Sequence, residues 1–292
     1  MGQVESLFTC LQLFCLGCLF VLSTLLRVAQ GALRWIVNAV AYNVKFRKVH
    51  LDKFLKGIIA HRCGTPENTL DGIRWCKKCG AVAVEMDLRV TKDGIPVIYH
   101  DDDITRMTLD EANSSREGEG SSIPTIFQVL ELCKELDLTI FLEVKAFIGF
   151  GPPKAREIIK KLYMEDQSLY DRMIVCSFSP LLLLLVRLMD QKIPVAIIHR
   201  RYPITTVMPR HVLKPLLPYI DGVILWCIHA WFVDLLGITL MLVHKDGLSW
   251  WYVEDWRRKN VNILAWTVND KHEQAFCEKV LQIPFMTDHP TT

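Results

Sequence analysis

The segment AVAVEMDLRVTKDGIPVIYHD, residues 81–101, identifies the type of sheet in this chain. Residues 81–90 form an apolar run without clean polar alternation, which is typical of a strand buried in a parallel sheet. Residues 95–100 form a second apolar strand, and the four residues between the two strands are too few for a crossover helix. Asp93-Gly94 is a turn signal, so we predict a hairpin that brings His100 back toward the sheet.

On either side of this hairpin, short apolar strands alternate with helix-sized segments. The strand candidates are residues 57–62, 81–90, 138–145, 173–177, 195–199, 222–226, 262–268 and 284–287. Eight strands and intervening helices in roughly 240 residues predict an α/β fold, a TIM-like (β/α)8 barrel. A doubly wound open sheet is the alternative, but no glycine-rich phosphate loop follows the first strand. Residues 109–123 are interpreted as a polar surface loop.

Composition excludes some classes of function. The apolar share of 51% is enough for a sizeable core, and 34 basic against 32 acidic side chains give no case for nucleic acid binding. The ten cysteines include one close pair, Cys76 and Cys79, with no second pair to complete a zinc site. We therefore interpret the cysteines of the folded domain as free thiols in or near the core.

The N-terminal segment predicts a single-pass membrane anchor. Residues 6–26 contain no charged side chain and would span about 30 Å as a helix, the thickness of a bilayer core. A cleaved signal peptide is the competing interpretation, but the preceding charge is the acidic Glu5 and no cleavage signature follows. We assign residues 1–45 to the anchor and juxtamembrane segment, and residues 46–292 to the barrel domain.

Two questions about the membrane stay open at this stage. The basic residues after the anchor favour a cytosolic domain, whereas a myristoylation pattern at residues 1–6 and the glycosylation sequon at Asn113 favour other arrangements. Residues 225–243 are nearly all apolar and long enough for a second span. Because such a span would interrupt the barrel, we favour a helix near the barrel mouth, at the bilayer interface, with a buried core helix as the alternative.

Polar residues lie where the predicted strands end, which is where barrel enzymes carry their active sites. The candidates at these ends are His61, Arg62, Glu85, Asp87, His100, Glu143 and Lys145. Three carboxylates at one mouth would repel one another unless a cation lay between them, and oxygen ligands suit Mg²⁺ or Ca²⁺. Two histidines beside such a metal can act as general base and general acid, and Arg62 with Lys145 can hold phosphate oxygens.

Five segments occur in a family-specific order: residues 61–69 (HRCGTPENT), 84–87 (VEMD), 92–101 (KDGIPVIYHD), 141–145 (FLEVK) and 266–269 (WTVN). They resemble the glycerophosphodiester phosphodiesterase family, whose barrel is of the phospholipase C-like phosphodiesterase type. The similarity covers nearly the whole chain after residue 56 and is greatest to the membrane-bound animal enzymes that cleave glycerophosphoinositol.

The resemblance implies a role for each matching residue. His61 and His100 would be the acid–base pair, and Glu85, Asp87 and Glu143 would bind the metal. Substrate-binding roles would fall to Arg62, Glu67, Lys145 and Trp266. The implied reaction is hydrolysis of a glycerophosphodiester to glycerol 3-phosphate and an alcohol. The alternatives are hydrolysis of lysophospholipids to lysophosphatidic acid and a non-catalytic binding protein at the lipid bilayer.

One residue departs from the family pattern beside the first histidine. Cys63 stands where the family usually has glycine. Glycine is often required where the backbone adopts positive φ or approaches a ligand closely. We therefore expect Cys63 to perturb the site if any residue does.

Overall fold

The structure is a computed structural model that describes Gly31 and residues 51–115, 122–145, 151–207 and 215–290. The chain divides into two units, Met1–Lys45 and Phe46–Thr292, and every element discussed below belongs to the second. The proposed anchor at residues 6–26 lies outside the described ranges. Within those ranges, no helix has the length and apolar character needed to cross a membrane.

Eight parallel strands form the barrel, in the order β1-β2-β4-β5-β6-β7-β8-β9 around the sheet. They are β1 (Ile58–Ala60), β2 (Ala81–Val90), β4 (Thr139–Val144), β5 (Met173–Ser177), β6 (Val195–His199), β7 (Leu240–His244), β8 (Asn262–Trp266) and β9 (Met286–Thr287). β9 pairs with β1, and the Ala265 amide donates to the Pro284 carbonyl at 3.0 Å. The sheet therefore closes, and the predicted barrel is confirmed.

The predicted hairpin is also confirmed. β3 (Pro96–Ile98) pairs antiparallel with the end of β2, with Leu88 opposite Ile98. Gly94 has a φ of +88°, which a side chain would disfavour, and the Thr91 amide donates to the Ile95 carbonyl to close the turn. The hairpin extends β2 past the barrel rim and then returns the chain to His100.

Apart from the first, which precedes β1, the helices cover the outside of the barrel and lie in the connections between its strands. They are α1 (Asp52–Leu55), α2 (Leu70–Lys78), α3 (Leu109–Ser114), α4 (Ile126–Glu135), α5 (Pro152–Glu165), α6 (Pro180–Met189), α7 (Pro203–Val207), α8 (Leu217–Cys227), α9 (Val233–Leu235), α10 (Trp250–Arg258) and α11 (Lys271–Ala275). The π-helical segments Ile228–Phe232 and Phe276–Leu281 continue α8 and α11.

Two apolar layers stabilise this arrangement. One lies between the strands and the helices, and the other fills the barrel interior with side chains such as Ala83, Phe141 and Ile174. Phe54 of α1 belongs to the inner layer and packs edge-on against Phe141, so it closes the bottom of the barrel. Since side chains alternate along a strand, the residues two and four beyond Ala83 face the interior above this layer.

One strand prediction is wrong. Residues 222–226 belong to helix α8, and the seventh strand of the sheet lies at Leu240–His244 instead. The segment GVILW has β-branched and aromatic residues that favour a strand locally, but tertiary packing places it in a helix. Gly237, with a φ of +57°, lies between the end of α9 and the strand.

Two further interpretations of the sequence are corrected in part by the structure. The ambiguous residues 225–243 begin with the end of α8, the π-helical segment that continues it and α9, so the favoured helix is present, but residues 240–243 belong to strand β7. The predicted loop at 109–123 begins with helix α3. Thr108 and Glu111 form a reciprocal capping box there, which stabilises the first helical turn despite the polar composition.

Candidate active site

Three carboxylates meet at the mouth of the barrel. Glu85 and Asp87 point inward from β2, and Glu143 lies opposite Asp87 on the neighbouring strand β4. One oxygen from each lies within 4.8 Å of the others, and all three residues are buried. Burial raises the pKa of Glu85, and the negative charge of Asp87 raises it further.

This donor set fits a hard divalent cation. It consists of carboxylate oxygens alone, which Mg²⁺ and Ca²⁺ prefer over the nitrogen and sulfur ligands of zinc. Glu85 Oε1 is buried and finds no hydrogen-bond donor in the described part of the chain. A buried carboxylate oxygen without a donor is costly, so a ligand at this position would compensate it.

Lys145 partly balances the charge of the cluster. Its Nζ lies 2.9 Å from Asp87 Oδ1 and 2.7 Å from Glu143 Oε1. Burial alone would lower the pKa of Lys145, but the two carboxylates raise it above its ordinary value, so the ammonium stays charged. Burial alone would likewise raise the pKa of Asp87, and the charge of Lys145 lowers it instead. Lys145 therefore belongs to the carboxylate cluster itself.

Asn68 holds Asp87 from the other side. Its Nδ2 donates to Asp87 Oδ2 at 2.8 Å, and its Oδ1 accepts from the Asp87 backbone amide at 3.3 Å. Asn68 is buried and has a φ of +55°, a conformation that asparagine tolerates better than most residues. These two bonds restrict the orientation of the Asp87 carboxylate.

His61 follows β1 and is oriented by a carboxylate from the last strand end. Its Nδ1 lies 2.7 Å from Asp288 Oδ1, and its Nε2 lies 3.8 Å from Glu85 Oε2. Because a carboxylate can only accept, Nδ1 carries the proton and Nε2 is directed to the cluster. Burial lowers the pKa of His61, but the bond to Asp288 and the charge of Glu85 outweigh it and raise the pKa.

Asp288 is itself held in place. Asn269 Nδ2 donates to Asp288 Oδ2 at 2.6 Å, and the Asp288 amide donates to Asn269 Oδ1 at 2.9 Å. The chain Asn269–Asp288–His61 thus links the ends of β8, β9 and β1. Such an arrangement fixes both the tautomer and the direction of a catalytic imidazole.

His100 lies at the end of the hairpin, where it is more exposed than His61. Its Nδ1 is 2.7 Å from Asp101 Oδ1, a carboxylate on the solvent side. Buried Arg89 of β2 donates from Nε to the His100 carbonyl at 2.7 Å, which ties the hairpin end to the barrel strand. A polar cavity of about 200 Å³ adjoins this histidine, with Glu67 and Tyr99 in its wall.

The turn after β1 brings backbone as well as side chains to the site. The Arg62 amide donates to Glu85 Oε2 at 2.9 Å, and Arg62 Nη1 donates to Glu67 Oε2 at 3.1 Å near the surface. Arg62, Cys63 and Gly64 all have positive φ, at 50°, 59° and 71°. Cys63 thus has the backbone conformation that glycine prefers, and whether it perturbs the site stays a prediction.

Trp266 lies at the end of β8, inside the barrel rim. Its ring packs edge-on against Phe178 and His244, with centroids 5.8 and 4.9 Å away. Its Nε1 is buried without a hydrogen-bond partner among the described residues. The contacts of Trp266 are thus aromatic, whereas those of His61, Arg62 and Lys145 are with the carboxylates.

Several site residues received no role from the sequence, among them Asn68, Arg89, Asn269 and Asp288. Asn68 and Asn269 lie in segments that were recognised as motifs, and Asp288 directly follows the last strand. The rule that polar residues at strand ends form the site would have found Asp288. No local signal distinguishes Arg89, because its role depends on the pairing of the hairpin.

Comparison with known proteins gives consistent matches. The model of the glycerophosphoryl diester phosphodiesterase family matches residues 60–292. Glycerophosphodiester phosphodiesterase 1 of Bos taurus is 34% identical over 258 residues, which cover 79% of this chain and 77% of that protein. The Homo sapiens protein of the same name is 33% identical with the same coverage.

Solved structures agree on the fold. An Oleispira antarctica phosphodiesterase, in complex with the product sn-glycerol 3-phosphate, superposes with a TM-score of 0.60 at 22% identity. The similarity covers 81% of this chain and 94% of that one. At this level of identity the match demonstrates the barrel architecture.

Proposed function

The chain belongs to the glycerophosphoryl diester phosphodiesterase family and is a phosphodiesterase, and from that premise we propose that it hydrolyses glycerophosphodiesters such as glycerophosphoinositol. The products would be glycerol 3-phosphate and the free alcohol. The observation that carries this proposal is the buried cluster of Glu85, Asp87 and Glu143 beside an oriented histidine.

The cluster and the histidines have complementary roles in this proposal. A Mg²⁺ or Ca²⁺ ion held by Glu85, Asp87 and Glu143 would stabilise negative charge on the phosphoryl oxygens. His61 directs Nε2 toward the cluster, and in the neutral imidazole with the proton on Nδ1 this nitrogen can accept a proton, as a general base requires. It takes a proton from the attacking water as the water oxygen bonds to phosphorus.

His100 completes the proton transfer. The phosphorus–oxygen bond to the leaving alcohol breaks, and His100 supplies the proton to that oxygen. Arg62, oriented by Glu67, and Lys145 pair with the non-bridging phosphate oxygens. Trp266 offers an apolar wall for the substrate. His61 is assigned as the base because its partner Asp288 is held by Asn269, and His100 is assigned as the acid because its partner Asp101 is exposed.

The decisive experiment uses the full chain in detergent solution with glycerophosphoinositol, in Mg²⁺, Ca²⁺ or EDTA. We expect turnover that EDTA abolishes and that His100→Ala and Glu143→Ala each reduce by about 10²- to 10⁴-fold. The exposed residues His272 and Glu278 supply matched controls, His272→Ala and Glu278→Ala. Turnover that persists in EDTA, or a folded His100→Ala variant of undiminished kcat, would contradict the proposal.

A second substrate class has support from one observation. Helix α8 exposes large apolar side chains at the same end of the barrel, which favours an acylated substrate such as a lysophospholipid with lysophosphatidic acid as product. Comparing kcat/KM for lysophosphatidylinositol and glycerophosphoinositol separates the two substrate classes.

A non-catalytic binding protein has no support, because the chain is a family enzyme with every candidate acid, base and carboxylate present.

We also propose that residues 1–45 anchor the protein in a membrane and that residues 46–292 form the catalytic domain. The support is the uncharged run at residues 6–26. We expect the full chain to stay in the membrane fraction after alkaline carbonate extraction. Recovery in the supernatant would exclude a membrane-spanning anchor.

A further inference from the structure

Helix α8 exposes an apolar surface. Tyr219 is 75% exposed and Val223 59% exposed, and Trp226 lies on the same helix and is also exposed. Asp221, the single charged residue between Leu217 and Cys227, is 0% exposed and turned inward. The outer side of this helix therefore carries no charge. An exposed apolar surface of this kind usually marks a site of interaction.

Packing places α8 at the mouth end of the barrel. The Asp221 carboxylate accepts hydrogen bonds at 2.8 and 3.0 Å from the amides of Ile204 and Thr205, in the first turn of α7. That helix begins at Pro203, directly after the carboxyl end of β6. Beyond α8, the ring of His229 lies 5.4 Å from that of His199, the last residue of β6.

A second aromatic pair lies at the same end. Trp250 and Trp251 begin helix α10, six and seven residues after the last residue of β7, and Trp251 is 70% exposed. A cation also lies at this end, because the exposed Arg201 guanidinium packs over the Tyr202 ring at 5.4 Å just after β6. Exposed tryptophan and tyrosine beside arginine are the residues that anchor proteins at a membrane–water interface.

We propose that these residues form a surface that binds the interfacial region of an anionic lipid bilayer. This mouth face consists of Tyr219, Ile220, Val223, Trp226, Trp250 and Trp251. Since no helix in the described ranges has the length and apolar character to cross a bilayer, α8 would lie in the interface with its uncharged side toward the acyl chains. Arg201 at its edge complements anionic headgroups. The proposal goes beyond hydrolysis, because it holds for any substrate that reaches the mouth.

The test measures contact between individual tryptophans and lipid. The full chain is reconstituted in phosphatidylcholine–phosphatidylserine vesicles, and tryptophan fluorescence is quenched with lipids brominated near the headgroup end of the acyl chain. We expect the double variant Trp226→Phe/Trp251→Phe to lose at least roughly a quarter of the bromine-dependent quenching, since it removes two interfacial residues of eight tryptophans. Half-buried Trp75 is the control, and Trp75→Phe leaves that quenching unchanged.

A charge substitution provides the second arm. Val223→Glu places a carboxylate on the mouth face and reduces the quenching of the neighbouring tryptophans. Leu188→Glu is the matched control, because Leu188 is 74% exposed near the end of α6, at the opposite end of the barrel. Both arms measure contact between individual tryptophans and lipid, and neither measures turnover or the fraction of protein bound to vesicles. The test therefore gives a clear result whether or not residues 6–26 anchor the protein. It also stays valid if the proposed hydrolysis is not found.

Unchanged quenching in the double variant would overturn the proposal. If chemical cross-linking then joined two copies through the mouth face, the surface would belong to a dimer. If it joined the mouth face to residues 1–45 of the same chain, the occupant would be the protein's own N-terminal segment. Equal loss of quenching for Val223→Glu and Leu188→Glu would also contradict the proposal.

Discussion

At the scale of single residues, the two site histidines differ in how their partners are held. The partner of His61 is Asp288, which is fixed by two hydrogen bonds from and to Asn269. The partner of His100 is Asp101, whose side chain is 70% exposed. The Asp288 side chain is 40% exposed, but a carboxylate that further hydrogen bonds hold in place orients its partner better than one that contacts mainly solvent. His61 is therefore the more rigidly positioned imidazole.

This difference predicts unequal effects of matched substitutions. Asp288→Asn offers His61 an amide that can stabilise the wrong tautomer, so we expect kcat to fall by about 10²- to 10⁴-fold. Asp101→Asn removes a partner that water replaces, so we expect a fall of about 10-fold or less. Steady-state kinetics with glycerophosphoinositol measures both. Equal losses, or a loss confined to KM, would contradict an orienting role for Asp288.

Cys63 combines the backbone conformation that glycine prefers with a buried side chain. Its φ of +59° is the conformation in which glycine is preferred, and a left-handed residue with a side chain costs about 1 kcal/mol. Its side chain is nevertheless fully buried, and its carbonyl accepts from Cys76 Sγ at 2.9 Å. The unusual residue thus packs into the core. Its effect on activity stays a prediction.

At the scale of secondary structure, the connection between β6 and β7 departs most from a simple barrel. Helix α8 contacts the rest of the fold through few buried side chains, among them Leu217 and Asp221. The Asp221 carboxylate accepts hydrogen bonds from amides at the start of α7 that have no partner within that helix, as a capping side chain does. The attachment of the mouth helix therefore depends strongly on one carboxylate.

Removing that carboxylate should release the helix locally. Asp221→Ala leaves two amides of α7 without their acceptor, at a cost on the order of 2–4 kcal/mol. We expect faster hydrogen exchange in residues 203–207 and 217–227, with the barrel strands unaffected. Exposed Asp234, in the same connection, supplies the control Asp234→Ala. Similar exchange in both variants would show that Asp221 does not hold the helix.

The same connection explains the wrong strand prediction. Residues 222–226 have high local strand propensity, and the nearby Asp221-Gly222 pair resembles a turn. In the fold, the Asp221 charge is satisfied by α7, which no local pattern reveals. By contrast, β2, β5 and β6 have the predicted bounds, because a short apolar run covered on both faces is distinctive.

At the scale of the whole molecule, a buried histidine makes stability depend on pH. His199 ends β6, is buried, and has both ring nitrogens without hydrogen-bond partners among the described residues. Burial, and then the proximity of His229, lower the pKa of His199 to about 4. The folded protein therefore keeps this imidazole neutral, whereas the unfolded chain protonates it near pH 6.5.

The sign of the effect follows from proton binding. Below about pH 6.5 the unfolded state binds a proton that the folded state excludes, so His199 lowers stability as the pH falls from 6.5 toward 4. Between pH 7.5 and 5.0, we expect wild type to lose about 2 kcal/mol more unfolding free energy than His199→Leu.

Urea unfolding of the full chain in detergent measures that difference at the two pH values. The exposed residue His272 supplies the matched control, His272→Leu. Other groups also titrate between pH 7.5 and 5.0, so the prediction concerns the difference in pH dependence between wild type and His199→Leu. An identical pH dependence in wild type and His199→Leu would show that His199 is protonated within the folded state.

Much of this protein can be derived from the order of its residues. Hydrophobic runs of strand length, separated by helix-sized segments, predict the barrel, and Asp93-Gly94 predicts the hairpin, because both signals act over a few neighbouring residues. The rule that strand ends meet at one mouth also brings Glu85, Asp87 and Glu143 together.

Tertiary structure was needed wherever a contact joins distant segments. Asp288 reaches His61 across 227 positions, and Arg89 reaches the His100 carbonyl only because the hairpin folds back. The same holds for the inward turn of Asp221, which leaves an uncharged helix surface at the mouth. Local propensity carries no information about such partners, since their proximity arises from closure of the sheet.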